Sequence, residues 1–125
     1  NYLESTCSSM FAYTLLKAYN KGYVGRKYRD AGVKAYDGIT REFIRHDADS
    51  TISLTRCCAV AGLGPGRSDE VDEALLKTGS KKPLRENRKR DGSFNYYINE
   101  TIRDNDPKGI GPFIWASLEM ESLNK

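Results

Sequence analysis

The stretch Asn105-Asp106-Pro107-Lys108-Gly109-Ile110-Gly111-Pro112-Phe113 sets an acid, a lysine and two glycines directly before the apolar run from Phe113 to Leu118. These residue types build a helix entrance. Asp106 can accept the first free N–H groups, and Pro107 suits the first helical position, where its missing donor costs nothing. Gly109 and Gly111 leave the first turn without side chains. Such an entrance lets an anionic group approach the positive end of a helix. The same glycines also suit a helix start that only packs closely against a neighbour.

Three longer elements must position this entrance. Residues 3–20 read as a helix, with Leu3, Cys7, Met10, Phe11, Leu15 and Ala18 at three-four spacing. Ala12, Tyr13, Leu16 and Tyr19 fill much of the other side, and a helix apolar nearly all round is a buried one. Gly22 ends it. Residues 26–46 read as an amphipathic helix with an apolar stripe of Tyr28, Ala31, Ala35, Ile39 and Phe43. The two make an αα-hairpin. The last helix spans about 107–123, and Trp115 within it reads as core. Pro112 cannot donate to the carbonyl of Lys108, so a kink or a loosened first turn is expected there. Glu119 and Glu121 bring its end to the surface. Residues 51–54 and 93–98 alternate and read as short strands. Residues 68–76 suggest a short surface helix.

The chain has 125 residues and a formal net charge of +3, which bounds it to one domain with a moderate core. It opens at Asn1 directly into a helical pattern and reads as a piece of a longer chain. No stretch approaches the apolar length of a membrane span. Cys57 and Cys58 are adjacent, a strained geometry for a mutual disulfide. With Cys7, they read as buried reduced thiols, which leans towards a reducing compartment without fixing one. The single histidine, His46, has no ligand-like spacing to any cysteine, so no metal site is expected. Residues 77–90 carry seven lysines and arginines against one glutamate, but lack interleaved aromatics. They read as a solvated loop rather than a nucleic-acid surface. The helices at 3–20 and 113–123 need apolar partners that helix 26–46 cannot supply alone. Their cover is expected from further helices of the same fold or from self-association.

Four segments in order then carry a resemblance: Tyr2-Leu3-Glu4-Ser5 with Ser8-Ser9-Met10-Phe11, Val60-Ala61-Gly62-Leu63-Gly64, Arg90-Asp91-Gly92-Ser93-Phe94-Asn95-Tyr96-Tyr97, and the 105–113 entrance. Together they resemble the C-terminal third of glycoside hydrolase family 105, the unsaturated rhamnogalacturonyl hydrolases, related to the family 88 unsaturated glucuronyl hydrolases. The resemblance covers essentially all 125 residues apart from the basic segment. It implies an all-α fold, the C-terminal part of a single (α/α)6 barrel with short strands in its loops. Helices 3–20 and 107–123 would be inner ones and 26–46 an outer one. Segments 4–8, 57–66 and 105–111 would then lie at the rim of a sugar pocket.

The implied substrate is an unsaturated uronate-capped oligosaccharide from pectin, of the 4,5-unsaturated galacturonyl-rhamnose type. The implied chemistry is hydration of that double bond without a cofactor. The family's catalytic aspartate lies upstream of the matched region, so no residue of this chain is expected to be catalytic, and the chain alone is expected to be inactive. Asp106 reads as a cap. Ser5, Thr6 and Ser8 open the first inner helix; at least one is expected to cap it, and all three are candidates for bonding sugar hydroxyls. Lys108 is a candidate for a substrate carboxylate, or else for a salt bridge to a neighbouring acid. Tyr96 and Tyr97 either line the pocket or simply pack, and alternation lets only one of them face inward; Tyr96 is the candidate for substrate. A non-catalytic helical module that binds a sugar or a protein is the other reading, and a basic docking domain for a polyanion is a third.

Overall fold

The computed structural model describes residues 3–63 and 91–123. The expected surface helix at 68–76 and the basic run at 77–90 lie outside the described residues. The chain divides into two units, Asn1–Ala59 with Thr101–Lys125, and Val60–Glu100.

The first unit holds three long helices: α1 (Ser5–Asn20), α2 (Arg26–Phe43) and α4 (Pro107–Ser122). Its short strands are β1 (Ile44–His46), β2 (Ile52–Leu54), β3 (Cys57–Cys58) and β4 (Ile102–Arg103). The helix expected over 26–46 stops at Phe43, because Ile44 is already extended, and residues 44–46 turn into a strand instead. β1 and β2 pair antiparallel, with Ile44 opposite Leu54 and His46 opposite Ile52. β3 pairs antiparallel with β4, Cys57 opposite Arg103.

α1 buries a line of small residues, Ser5, Ser9 and Ala12, followed by Leu16. The spacing is helical, but the side chains differ from the expected stripe. Small residues let α2 and α4 approach closely, and that approach decides which face is covered. At the α1–α2 crossing, a Cβ on Gly32 would stand 3.0 Å from Leu16 Cγ. Leu16, Ile39, Phe43, Leu54, Cys57 and Ala116 then close the core. Tyr36 of α2 stacks on Phe113 of α4 with ring centroids 5.7 Å apart, and its hydroxyl is 2.9 Å from Ser117 Oγ.

The burial expected all round α1 and at Trp115 is not found. Phe11 is 66% exposed and Trp115 54%, with Leu3, Met10, Ile114 and Leu118 also at the surface. Trp115 touches Tyr13 but has no core around it. Cys7, expected buried, is exposed, whereas Cys57 and Cys58 are buried; none of the three is in a disulfide. Glu119 departs in the opposite sense. It lies buried between helices, where Lys17 Nζ donates to one carboxylate oxygen at 2.6 Å and Asn20 Nδ2 to the other at 2.8 Å. α4 is continuous through Pro112. The preceding Gly111 has no Cβ to crowd the proline ring, which helps a helix tolerate this pair.

Among the described residues of the second unit, Phe94–Tyr97 form the short helix α3, where a strand is expected. Ser93 caps it by accepting from the Tyr96 N–H at 3.0 Å. A serine placed three residues before its bonded N–H closes a helical turn, and that local bond prevails over the alternation.

Candidate functional site

The entrances of α1 and α4 meet. A Cβ on Gly109 would stand 2.7 Å from Cys57 Sγ, 3.2 Å from Thr6 Oγ1 and 3.3 Å from Leu54 Cδ2. The bare backbone of α4's first turn therefore rests against the start of α1 and against β3. Close packing, one of the two roles open to these glycines, is what Gly109 performs. Gly111 meets nothing within 4 Å beyond its immediate neighbours.

α1 is capped by Glu4, not by a serine or threonine. The Thr6 and Cys7 N–H groups each donate to its carboxylate at 2.7 Å. The Cys58 N–H donates to the same carboxylate at 2.8 Å, so one side chain ties α1 to β3. The Ser5 N–H adds a bond to the Arg56 carbonyl at 3.1 Å. A longer acid takes the capping role because its reach spans both the helix start and the strand.

The Ser5 and Ser8 hydroxyls are spent elsewhere. Ser5 Oγ donates to Cys57 Sγ at 3.2 Å and is sealed from solvent. Ser8 Oγ donates to the Glu4 carbonyl at 2.6 Å and is only half-buried. Thr6 is 8% exposed, and its Oγ1 is the buried side-chain atom without a hydrogen-bond partner among the described residues. An unsatisfied buried hydroxyl costs about 1–3 kcal/mol. Ser8 thus keeps a surface on which a ligand could be bonded, while Ser5 and Thr6 lie beneath it.

At the α4 entrance, Asn105 adopts a left-handed conformation with φ 57°. Its N–H donates to the Leu54 carbonyl at 2.8 Å, and its side-chain oxygen accepts from the Leu54 N–H at 2.9 Å. That two-way clamp fixes the helix start on β2. Asp106 then caps α4, accepting from the Lys108 N–H at 3.0 Å and from Lys108 Nζ at 2.7 Å. Burial pushes the Asp106 carboxyl up, but the Lys108 ammonium and N–H outweigh it and hold the group below the usual range. An acid held ionised is a poor proton donor near neutral pH. The capping role expected of Asp106 is therefore the one the geometry gives. Lys108 makes the expected bridge to a neighbouring acid, while its side chain stays more than half exposed with donors to spare.

Tyr96 belongs to the second unit. It is buried, its hydroxyl accepts from the Gly62 N–H at 3.3 Å, and Tyr97 is the more exposed of the pair. Burial pushes the Cys7 thiol up, and the Glu4 carboxylate beside it adds to the shift. A groove of about 380 Å³ on α2, lined by Asp30, Val33, Lys34, Asp37 and Arg41, contains none of the candidate residues.

Residues 1–124 match the family model for Glycosyl Hydrolase Family 88. The chain belongs to that family. This family 88 chain is 29% identical over 95% of its length to Protein Atu3128 of Agrobacterium fabrum. It matches a 24.9 kDa protein in the picA locus of Rhizobium radiobacter at the same identity and coverage. It spans about half of those relatives, 45% of each. A solved glycoside hydrolase from family 105 of C. acetobutylicum is 41% identical and superposes with a TM-score of 0.74 over 98% of this chain, which covers 28% of that one. The three packed helices and their short strands are thus part of an α/α barrel, as the ordered motifs implied.

Proposed function

We propose that these residues form the C-terminal portion of a single (α/α)6 barrel whose α1 and α4 entrances border a sugar pocket. The completed barrel hydrates the 4,5 double bond of an unsaturated galacturonyl-rhamnose type oligosaccharide. The observation that carries this reading is the meeting of the two helix starts at Gly109, within a chain of family 88. The first-turn N–H groups of both helices are taken by Glu4, Arg56 and Asp106, so the group that favours a carboxylated ring is the Lys108 ammonium, which keeps donors to spare.

In the proposed chemistry an aspartate outside these 125 residues protonates the vinyl ether. Water adds across the bond, the hemiketal opens, and the remaining sugar leaves. This chain's part is to bind and orient. Ser8 bonds a sugar hydroxyl, and the Lys108 ammonium, already oriented by Asp106, meets the substrate carboxylate. Ser5 and Thr6 hold the floor beneath Ser8.

The test is a panel of uronate-capped unsaturated disaccharides given to the complete barrel, read as loss of the double bond's ultraviolet absorbance. Preferred turnover of the galacturonyl-rhamnose substrate is expected. No turnover of any member would refute the enzymatic reading, and sugar binding without turnover would point to a non-catalytic module.

A further inference from the structure

We propose that Cys7 and Cys58 form a reversible disulfide that staples the start of α1 to β3 and expels Glu4 from its capping position. The inference does not depend on the sugar chemistry. It starts from the shared carboxylate. The Cys7 N–H donates to Glu4 Oε2 at 2.7 Å and the Cys58 N–H to Glu4 Oε1 at 2.8 Å, so both cysteine backbones lie within the span of one carboxylate. The two segments are held together independently of Glu4, by the Ser5 N–H on the Arg56 carbonyl and Ser5 Oγ on Cys57 Sγ.

The choice among the three thiols follows from the strand. Successive side chains on a strand point to opposite faces. Cys57 faces Ser5 and Gly109, so Cys58 takes the other side. Cys7 is the exposed thiol of the three, and Cys57 and Cys58 are buried. Burial first, then the Glu4 carboxylate and the Cys58 thiol, push the Cys7 thiol up. A Cys57–Cys58 bond is disfavoured by the strain of joining adjacent residues.

The oxidant is a low-molecular-weight disulfide such as oxidised glutathione. The Cys7 thiolate attacks one of its sulfurs, forming a mixed disulfide and expelling one thiolate, which takes up the proton Cys7 lost. The Cys58 thiolate then attacks Cys7 Sγ and expels the second, which takes up the proton from Cys58. Two protein thiols are oxidised, and one disulfide is reduced to two thiols. The new bond occupies the space of the Glu4 carboxylate, so the Thr6 and Cys7 N–H groups lose their acceptor.

The 125-residue chain is equilibrated in glutathione buffers of graded potential, alkylated, digested and sequenced by mass spectrometry. The expected product is a Cys7–Cys58 linked peptide from a monomer, two hydrogens lighter than the reduced pair, reversed by a thiol. It is absent in Cys7→Ser, a surface substitution. Hydrogen exchange at the Thr6 and Cys7 amides is expected to speed up on oxidation. A glutathione adduct that stops at Cys7, a Cys7–Cys7 dimer, a Cys57–Cys58 link, or no link at any potential would overturn the proposal. A Cys7–Cys58 link with unchanged exchange would overturn the displacement of Glu4.

Discussion

Adding one methyl group at Gly109 sets two known quantities against each other. Alanine is a better helix former than glycine by about 1 kcal/mol. The new Cβ, however, would stand 2.7 Å from Cys57 Sγ, with Thr6 Oγ1 at 3.2 Å and Leu54 Cδ2 at 3.3 Å. Cys57 is fully buried and bonded by Ser5, so its sulfur has no free direction in which to retreat. Overpacking of this kind costs about 1–3 kcal/mol. Gly109→Ala is therefore expected to be destabilising by up to about 2 kcal/mol net, or up to ~8 °C in Tm for a domain of this size. Two other helical glycines calibrate the argument. Gly38 in α2 meets nothing within 4 Å, so Gly38→Ala should be stabilising by up to ~1 kcal/mol. Gly32 faces Leu16 and Leu15 at 3.0–3.2 Å, so Gly32→Ala should fall between the two. Thermal and urea unfolding of the three variants gives the order directly. The Gly109→Ala penalty should also shrink in a Cys57→Ala background, because the crowding atom is gone. Equal effects at Gly109 and Gly38, or an unchanged penalty in the double variant, would refute the meeting of the two helix entrances.

Other expected outcomes test the remaining contacts. Glu4→Ala removes the α1 cap and leaves the Cys58 N–H without its acceptor, so a loss of about 2 kcal/mol is expected in urea unfolding, against about 1 kcal/mol for Asp106→Ala. For Glu119, burial pushes the carboxyl up, but the bonds from Lys17 and Asn20 outweigh it and bring it below its ordinary value near 4.5. A lowered folded value means stability that is present above pH 4.5 and is lost as pH falls below it. Tm measured from pH 7 to pH 3 should fall less steeply in Glu119→Gln than in the parent; parallel curves would remove Glu119 from the acid transition. In the complete barrel, Lys108→Ala and Ser8→Ala should each raise KM roughly tenfold, with little change in fold, as expected for one lost hydrogen bond or ion pair to substrate. Unchanged KM in both would remove them from the pocket.

Much of the fold was legible in local chemistry. Gly22, the Ile39 and Phe43 end of the α2 stripe, and the Asp106-Pro107 start of α4 are short-range signals that appear where they were read, whereas Tyr28 and Ala31 of that stripe are exposed. What failed depended on contacts far along the chain. The buried line of α1 runs through Ser5, Ser9 and Ala12 because α2 and α4 approach there, and hydropathy alone favours Met10 and Phe11 instead. Glu119 reads as a surface acid until Lys17 and Asn20, about 100 residues earlier, supply its partners. The strand expected at 93–98 loses to a serine cap one bond long. At the candidate site, Glu4, Thr6, Cys57, Cys58 and Gly109 lie together, but Glu4 was overlooked as the cap. Its role requires the Cys58 N–H, which no local pattern reveals. Asn105 was quoted for its place in a motif, and its clamp on Leu54 emerges only in three dimensions.

The most direct test of the proposed role follows the ultraviolet absorbance of an unsaturated galacturonyl-rhamnose disaccharide with two proteins side by side. One is the chain of 125 residues, and the other is the same chain joined to the upstream helical hairpins of its barrel. The absorbance should stay constant with the first and decay with the second. Decay with the 125 residues alone would contradict the placement of the catalytic aspartate outside them.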